Sequence, residues 1–185
     1  GGSGQATRGS ATRFARVHAT DPSAAQIAQA SAPGNVVFAV EPAERCSLPD
    51  HAADAVCVAQ ALHWFDRDAF FAECARVLAP GGVALVATLG PRTLWELREA
   101  FALIDGARHT IDFHPAPEWM RAARAAALTP LAHDCVELHA CAPDLRGLLQ
   151  DIKRIGAATV DGGRRRQPLG RAAWARLQAT YERHR

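Results

Sequence analysis

Several short stretches carry side chains able to do chemistry. The chain opens Gly1-Gly2-Ser3-Gly4, which reads either as a flexible linker or as the end of a glycine-rich turn that lets backbone approach a ligand. Asp21 precedes Pro22 and Ser23. Its carboxylate could accept two hydrogen bonds from the vicinal hydroxyls of a ribose, or the triplet could serve only to cap a helix. His63, Trp64 and Phe65 stand in a row. Their faces could line a site for a poorly hydrated cation or pack beneath the next helix, and His63 could act as a base, a polar contact or a structural histidine. One further pattern is set aside: His133, Cys135, Glu137, His139 and Cys141 alternate like metal ligands. On a strand His133 and Cys141 would stand roughly 26 Å apart, too far for one ion, so no metal site is expected.

The elements that position these residues alternate. Residues 5–16 read as a helix and 16–20 as a strand, after which Ser23 caps a helix running to about residue 31. The β-branched runs NVVFAV (35–40) and DAVCVA (54–59) are buried strands. An amphipathic helix over 66–78 is stopped by Pro80-Gly81-Gly82, and VALVAT (83–88) is the next strand. Apolar strands separated by helices indicate α/β architecture, a parallel sheet with helices on both faces. Ligands sit at the carboxyl ends of such strands. That points to Asp21, Glu41 to Glu44, Gln60 to Trp64 and Leu89 to Arg92.

Composition sets the bounds. The chain has 185 residues, 49% hydrophobic and 22% charged, which suits a single soluble domain. It shows no apolar run long enough for a membrane span and no secretory-signal pattern, so a cytoplasmic location with no membrane partner is expected. Five cysteines without a CxxC pair suggest reduced thiols rather than a disulfide framework. The net charge is +2, yet residues 146–185 hold ten Lys or Arg against three acids. Such a basic segment suits an acidic partner, or is merely a solvated surface. With Trp174 and Tyr181 its only aromatics, nucleic acid is the weaker reading.

The run FAVEPAERCSLPDHAADAVCVAQALHWFDRDAFFAECARVLAPGGVALVAT resembles the class I S-adenosylmethionine-dependent methyltransferases in order and spacing. The resemblance implies a three-layer Rossmann-like sheet. It puts Asp21 and Pro22 by the ribose, Ala43 and Glu44 by adenine, and Gln60 to Trp64 by the sulfonium, with His63 and Trp64 open to substrate. Gly2 and Gly4 match the last two glycines of the family's Gly-x-Gly-x-Gly turn. The strand and acid that precede this turn in the family are absent, as is the last antiparallel strand after TYERHR, so both ends are expected to be cut. The expectation is a single domain over 1–185, with a cofactor half (1–90) and a substrate-facing half (91–185). A central strand is paired on both edges, so a chain without it should bind S-adenosylmethionine weakly and turn over poorly.

Further on, LGPRTLWELREAFALID, LLQDIKRIGA, GGRRRQPLGR and LQATYERHR resemble the biotin-pathway malonyl-acyl-carrier-protein O-methyltransferases. Gln167-Pro168-Leu169 departs from the family's Gly-Leu-Thr. The resemblance implies methylation of the malonyl carboxylate; Arg92, just after a strand end, is a candidate for steering it. Acyl carrier protein would be the partner, attracted by Lys153, Arg154, Arg164, Arg165 and Arg166. A carboxylate is already ionised at neutral pH, so no general base is required. Two alternatives stay open: a methyltransferase for a free small acid or other metabolite, and an inactive fragment or binding module.

Overall fold

The structure, a computed structural model, describes residues 5–105, 109–154 and 169–183. The chain divides into two units, residues 1–89 with 115–133, and residues 90–114 with 134–185.

The first unit carries every strand found among the described residues. After α1 (Gln5–Ala11) come β1 (Val17–Asp21), α2 (Ala24–Gln29) and β2 (Val36–Val40). A parallel pair cannot close through a tight turn, and α2 supplies the crossover. β1 and β2 pair in register from Val17 opposite Val36 to Asp21 opposite Val40. Ser23 caps α2, its side chain accepting from the Gln26 amide. The pattern repeats with β3 (Ala53–Ala59), a single 3-10 turn at Leu62–Trp64, α3 (Arg67–Val77) and β4 (Leu78–Ala87), parallel to β3. Asp66 caps α3 by accepting from the Ala69 amide at 3.0 Å. Among the described residues the strands thus form two separate parallel pairs with their helices, a partial Rossmann-like arrangement.

β4 starts earlier than its sequence suggests. Pro80-Gly81-Gly82 reads as a break before a strand at Val83, yet the strand begins at Leu78, directly after α3. Leu78 is buried in the core, and its carbonyl lies 2.9 Å from His51 Nδ1. The pairing then slips between Ala53 and Ala55, whose partners are Leu78 and Val83, so Ala79 to Gly82 form a bulge. Gly81 takes a left-handed φ of 83°, and a Cβ on Gly82 would lie 2.9 Å from the Ala79 carbonyl oxygen and 3.1 Å from those of Ala53 and Asp54. Gly82→Ala must therefore push backbone apart. A loss of about 1–3 kcal/mol is expected, read as a lowered thermal unfolding midpoint.

α5 (Ala116–Ala125) packs on α3, burying Phe70, Phe71, Cys74, Trp119, Ala122 and Ala123 with Leu62 and Leu78. Each buried phenylalanine contributes roughly 2–3 kcal/mol. Arg67 Nη1 to Glu118 Oε2, at 3.1 Å, ties the two helices at their rim. Burial, reinforced by the Glu73 charge, pushes the Cys74 thiol up to about 12, so it packs and does not react.

The second unit contains α4 (Trp95–Ala102), α6 (Leu145–Arg154) and α7 (Arg171–Glu182). Leu145, Leu148, Leu149 and Ile152 recur at helical spacing along α6, and the first of them joins Leu97, Ala100, Phe101 and Leu177 in a second core. Residues 128–142, which include the alternating His133 to Cys141, form no strand.

Candidate functional site

The site is built from the segments at the carboxyl end of each strand. Asp21 ends β1 opposite Val40, and the Glu41 amide donates to the Asp21 carbonyl at 3.2 Å, so the two strand ends leave the sheet together. The Asp21 carboxylate accepts from the Ser23 amide at 2.9 Å across Pro22. This Asx-type bond orients the carboxylate, while the capping of α2 falls to Ser23 itself.

The loop from Glu41 to Ala52 is held by side chains along its length. Glu41 Oε2 accepts from the Ser47 amide at 3.1 Å and meets His18 Nε2 at 3.1 Å. These bonds, Ser47 first and His18 second, hold the Glu41 carboxyl below its ordinary range. Glu44 Oε1 accepts from the Asp66 amide at 2.8 Å, tying this loop to the chain beyond β3. Ala43 packs against the core that holds Leu62.

Further along the loop, Glu73 Oε1 accepts from the Cys46 amide at 2.7 Å. Arg76 forks onto Glu73 at 2.6 and 2.8 Å and onto the Leu48 carbonyl and Asp50 carboxylate at 2.8 Å each. The Arg76 guanidinium holds the Glu73 carboxyl down to about 2 against the opposing effect of burial. Sequence reasoning missed this pair, although a signal existed. Phe70, Glu73, Cys74 and Val77 form the buried stripe of α3, and an acid on such a stripe needs a partner.

After β3 the chain reverses at Gln60, a non-glycine residue with a left-handed φ of 57°, pinned by its amide donating to the Ala87 carbonyl at 2.9 Å. Strained backbone of this kind collects at binding sites. Leu62 is fully buried and anchors the next turn. His63 and Trp64 lie with ring centroids 5.0 Å apart, Trp64 being 46% exposed. Phe65 instead packs inward, 5.2 Å from Phe70. Burial lowers the His63 pKa from its ordinary 6.5, so the ring is neutral at pH 7. At the end of β4, beside this reversal, the Thr88 hydroxyl is buried with no hydrogen-bond partner among the described residues. That atom was also missed, and nothing in a lone threonine signals it.

The remaining candidates belong to the second unit or lie outside the described residues. Arg92 belongs to the second unit, where its Nη2 meets Glu137 Oε1 at 3.3 Å on an exposed surface. Lys153 is exposed on α6, which Arg154 closes. Gly2, Gly4, Arg164, Arg165 and Arg166 lie outside the described residues. Among the described residues no cluster of three His, Cys, Asp or Glu gathers to hold a metal, and no helix is long and apolar enough to cross a membrane.

The family model described as a methyltransferase domain matches residues 1–86, the stretch that bears the carboxyl ends of β1, β2 and β3. The malonyl-[acyl-carrier protein] O-methyltransferase of Dechloromonas aromatica is 32% identical over 188 residues, covering 98% of this chain and 69% of that protein. The chain belongs to this methyltransferase family. The enzyme of the same name from Laribacter hongkongensis is 40% identical over 144 residues, covering 76% of this chain and 48% of that protein. The chain thus spans about half to two thirds of the length of these curated relatives. The methyltransferase fold is also that of geranyl diphosphate C-methyltransferase from Streptomyces coelicolor, solved with S-adenosyl-L-homocysteine. That protein is 20% identical, with a TM-score of 0.57 over 98% of this chain and 65% of its own.

Proposed function

We propose that this methyltransferase chain transfers the methyl group of S-adenosylmethionine to the free carboxylate of a malonyl group carried on acyl carrier protein. The reading is supported by the groups that stand at the carboxyl ends of the strands: an oriented carboxylate after β1, a strained Gln60 and a neutral imidazole beside an open indole after β3, and after β4 a Thr88 hydroxyl with no hydrogen-bond partner among the described residues. The choice of acceptor is supported by the names of the relatives, which are malonyl-[acyl-carrier protein] O-methyltransferases. This donor set suits the cofactor: Asp21 would bind the ribose hydroxyls, Ala43 and Glu44 would border adenine, and the Thr88 hydroxyl would gain the partner it lacks.

S-adenosylmethionine supplies an electrophilic methyl on a sulfonium, so the acceptor oxygen gains the methyl as the sulfur keeps the bonding pair, and no proton is released. The chain's own task is alignment and exclusion of water. Trp64 offers an aromatic face to a poorly hydrated cation. His63, kept neutral by burial, adds no repulsion to it.

The decisive assay offers malonyl acyl carrier protein and free malonate in parallel and follows the methyl ester by mass spectrometry. Ester on the carrier substrate is expected; ester on free malonate alone would replace this reading with that of a small-acid methyltransferase. Because no base must be generated, turnover should stay flat as pH rises from 7 to 9. Below the ordinary histidine value of 6.5, cofactor affinity should weaken as the depressed His63 finally protonates and places a second cation beside the sulfonium. Turnover assays from pH 7 to 9 check the first limb, and titration calorimetry from pH 5 to 7 checks the second.

A further inference from the structure

The second unit holds a cleft of about 420 Å³ lined by Arg146, Leu169, Arg171 and Trp174. Its walls are fixed from beneath. Leu145, next to Arg146, and Leu177, one turn beyond Trp174, are both fully buried in the same core, which locks α6 and α7 together. The Arg146 guanidinium lies 5.6 Å from the centre of the Trp174 ring, so one cation is already oriented over the aromatic wall. Arg171 opens α7 one turn before that indole.

Some arginines in the chain are paired with carboxylates and others are not. Arg67, Arg76 and Arg92 each have a carboxylate within ion-pair distance. Among the described residues, Arg146 and Arg171 have none. Two guanidinium groups with no carboxylate partner among the described residues flank a leucine and a tryptophan, a lining suited to an anion beside an apolar surface. Arginine and tryptophan are also the residues on which protein interfaces concentrate their binding energy. The surrounding segment, residues 146–185, carries ten Lys or Arg against three acids, so an acidic partner would be steered toward it.

We propose that the Arg146, Arg171 and Trp174 cleft is the docking point for the acidic surface of the carrier protein, with carboxylates of the partner bridging the two guanidinium groups and an apolar side chain resting on Trp174. This assigns to the α6 and α7 cleft a role that the arginine run 164–166 alone would not explain. It rests on the reading that the methyl acceptor arrives on a carrier protein.

The test measures binding of acyl carrier protein to the chain by fluorescence anisotropy at low and high salt, without relying on turnover. Charge reversal of both arginines (Arg146→Glu, Arg171→Glu) should weaken binding at least tenfold, and the neutral pair Arg146→Gln, Arg171→Gln by a smaller factor. Unchanged circular dichroism and thermal midpoint would establish that each variant is folded, as expected for exposed positions. Wild-type binding should weaken as salt rises, and the variants should lose most of that salt dependence. If the wild type binds the carrier and the folded variants bind it equally well, the docking assignment is overturned while the carrier reading stands. If the wild type binds no carrier at low salt, the carrier reading itself falls, and the docking point with it.

Discussion

Replacing Glu73 with alanine is expected to lower stability by about 2 kcal/mol and to weaken cofactor binding about tenfold, although Glu73 is not among the residues assigned to the cofactor. The carboxylate is 8% exposed and accepts from the Cys46 amide while pairing with Arg76. A hydrogen bond to a charged group contributes roughly 1.5–3 kcal/mol, reduced here because the Arg76 side is partly open to solvent. Without the carboxylate, Arg76 loses its anchor and with it the hold on Leu48 and Asp50, so residues 41–52 are free to drift. Ala43 and Glu44 lie in that loop, which is why affinity for the cofactor should fall along with stability. Chemical denaturation and calorimetric titration measure the two effects separately.

The same pair fixes an acid limit. Arg76 lowers the Glu73 pKa from 4.5 to about 2, so its contribution is full above pH 4.5 and is lost as pH falls from 4.5 toward 2. The wild type should lose denaturant resistance across that window, and Glu73→Ala should lose less. Glu73→Gln separates charge from shape: it keeps an acceptor for the Cys46 amide but not the ion pair, so it should recover part of the loop order and none of the acid sensitivity. An unaltered cofactor affinity in Glu73→Ala would show that the loop holds its shape without the clamp.

How far the sequence foretells these features depends on whether the cause is local. β2 and β3 could be read as strands from VVFAV and DAVCVA because β-branched and small apolar runs fit a pleated surface, but not as buried ones: no residue of either is buried, and Val37 and Val40 are exposed. The caps Ser23 and Asp66 are local too. The start of β4 is not, since Pro80-Gly81-Gly82 signals a stop unless one knows that the Ala53 and Asp54 carbonyls crowd against Gly82. Nor can a glutamine announce a left-handed φ, as at Gln60, because the strain is imposed by the strand beside it. The alternation from His133 to Cys141 has a strand's period, yet a strand needs a neighbour, and among the described residues none pairs with it. Leu131, Val136 and Leu138 consequently stay exposed.

The opposing readings of Asp21, ribose ligand or helix cap, are separated by two substitutions. Asp21→Asn keeps a side-chain oxygen that can accept from the Ser23 amide, the bond seen at 2.9 Å, while removing the charge. If Asp21 served only the turn, Asn would leave both stability and cofactor affinity nearly unchanged, since asparagine supports the same turn. If the carboxylate accepts two ribose hydroxyls, the charge matters to both bonds, and charge-assisted hydrogen bonds are about twice as strong as neutral ones. Asp21→Asn is then expected to weaken S-adenosylmethionine binding roughly tenfold with an unchanged unfolding midpoint. Asp21→Ala should weaken it on the order of a hundredfold and also lower the midpoint slightly by removing the turn. The ligand itself gives a further control: a cofactor analogue lacking one ribose hydroxyl should bind the wild type more weakly but bind Asp21→Ala no worse than S-adenosylmethionine does. Equal losses for the analogue in both proteins would mean that the hydroxyls meet some other group, and that Asp21 shapes the strand end without touching the ligand.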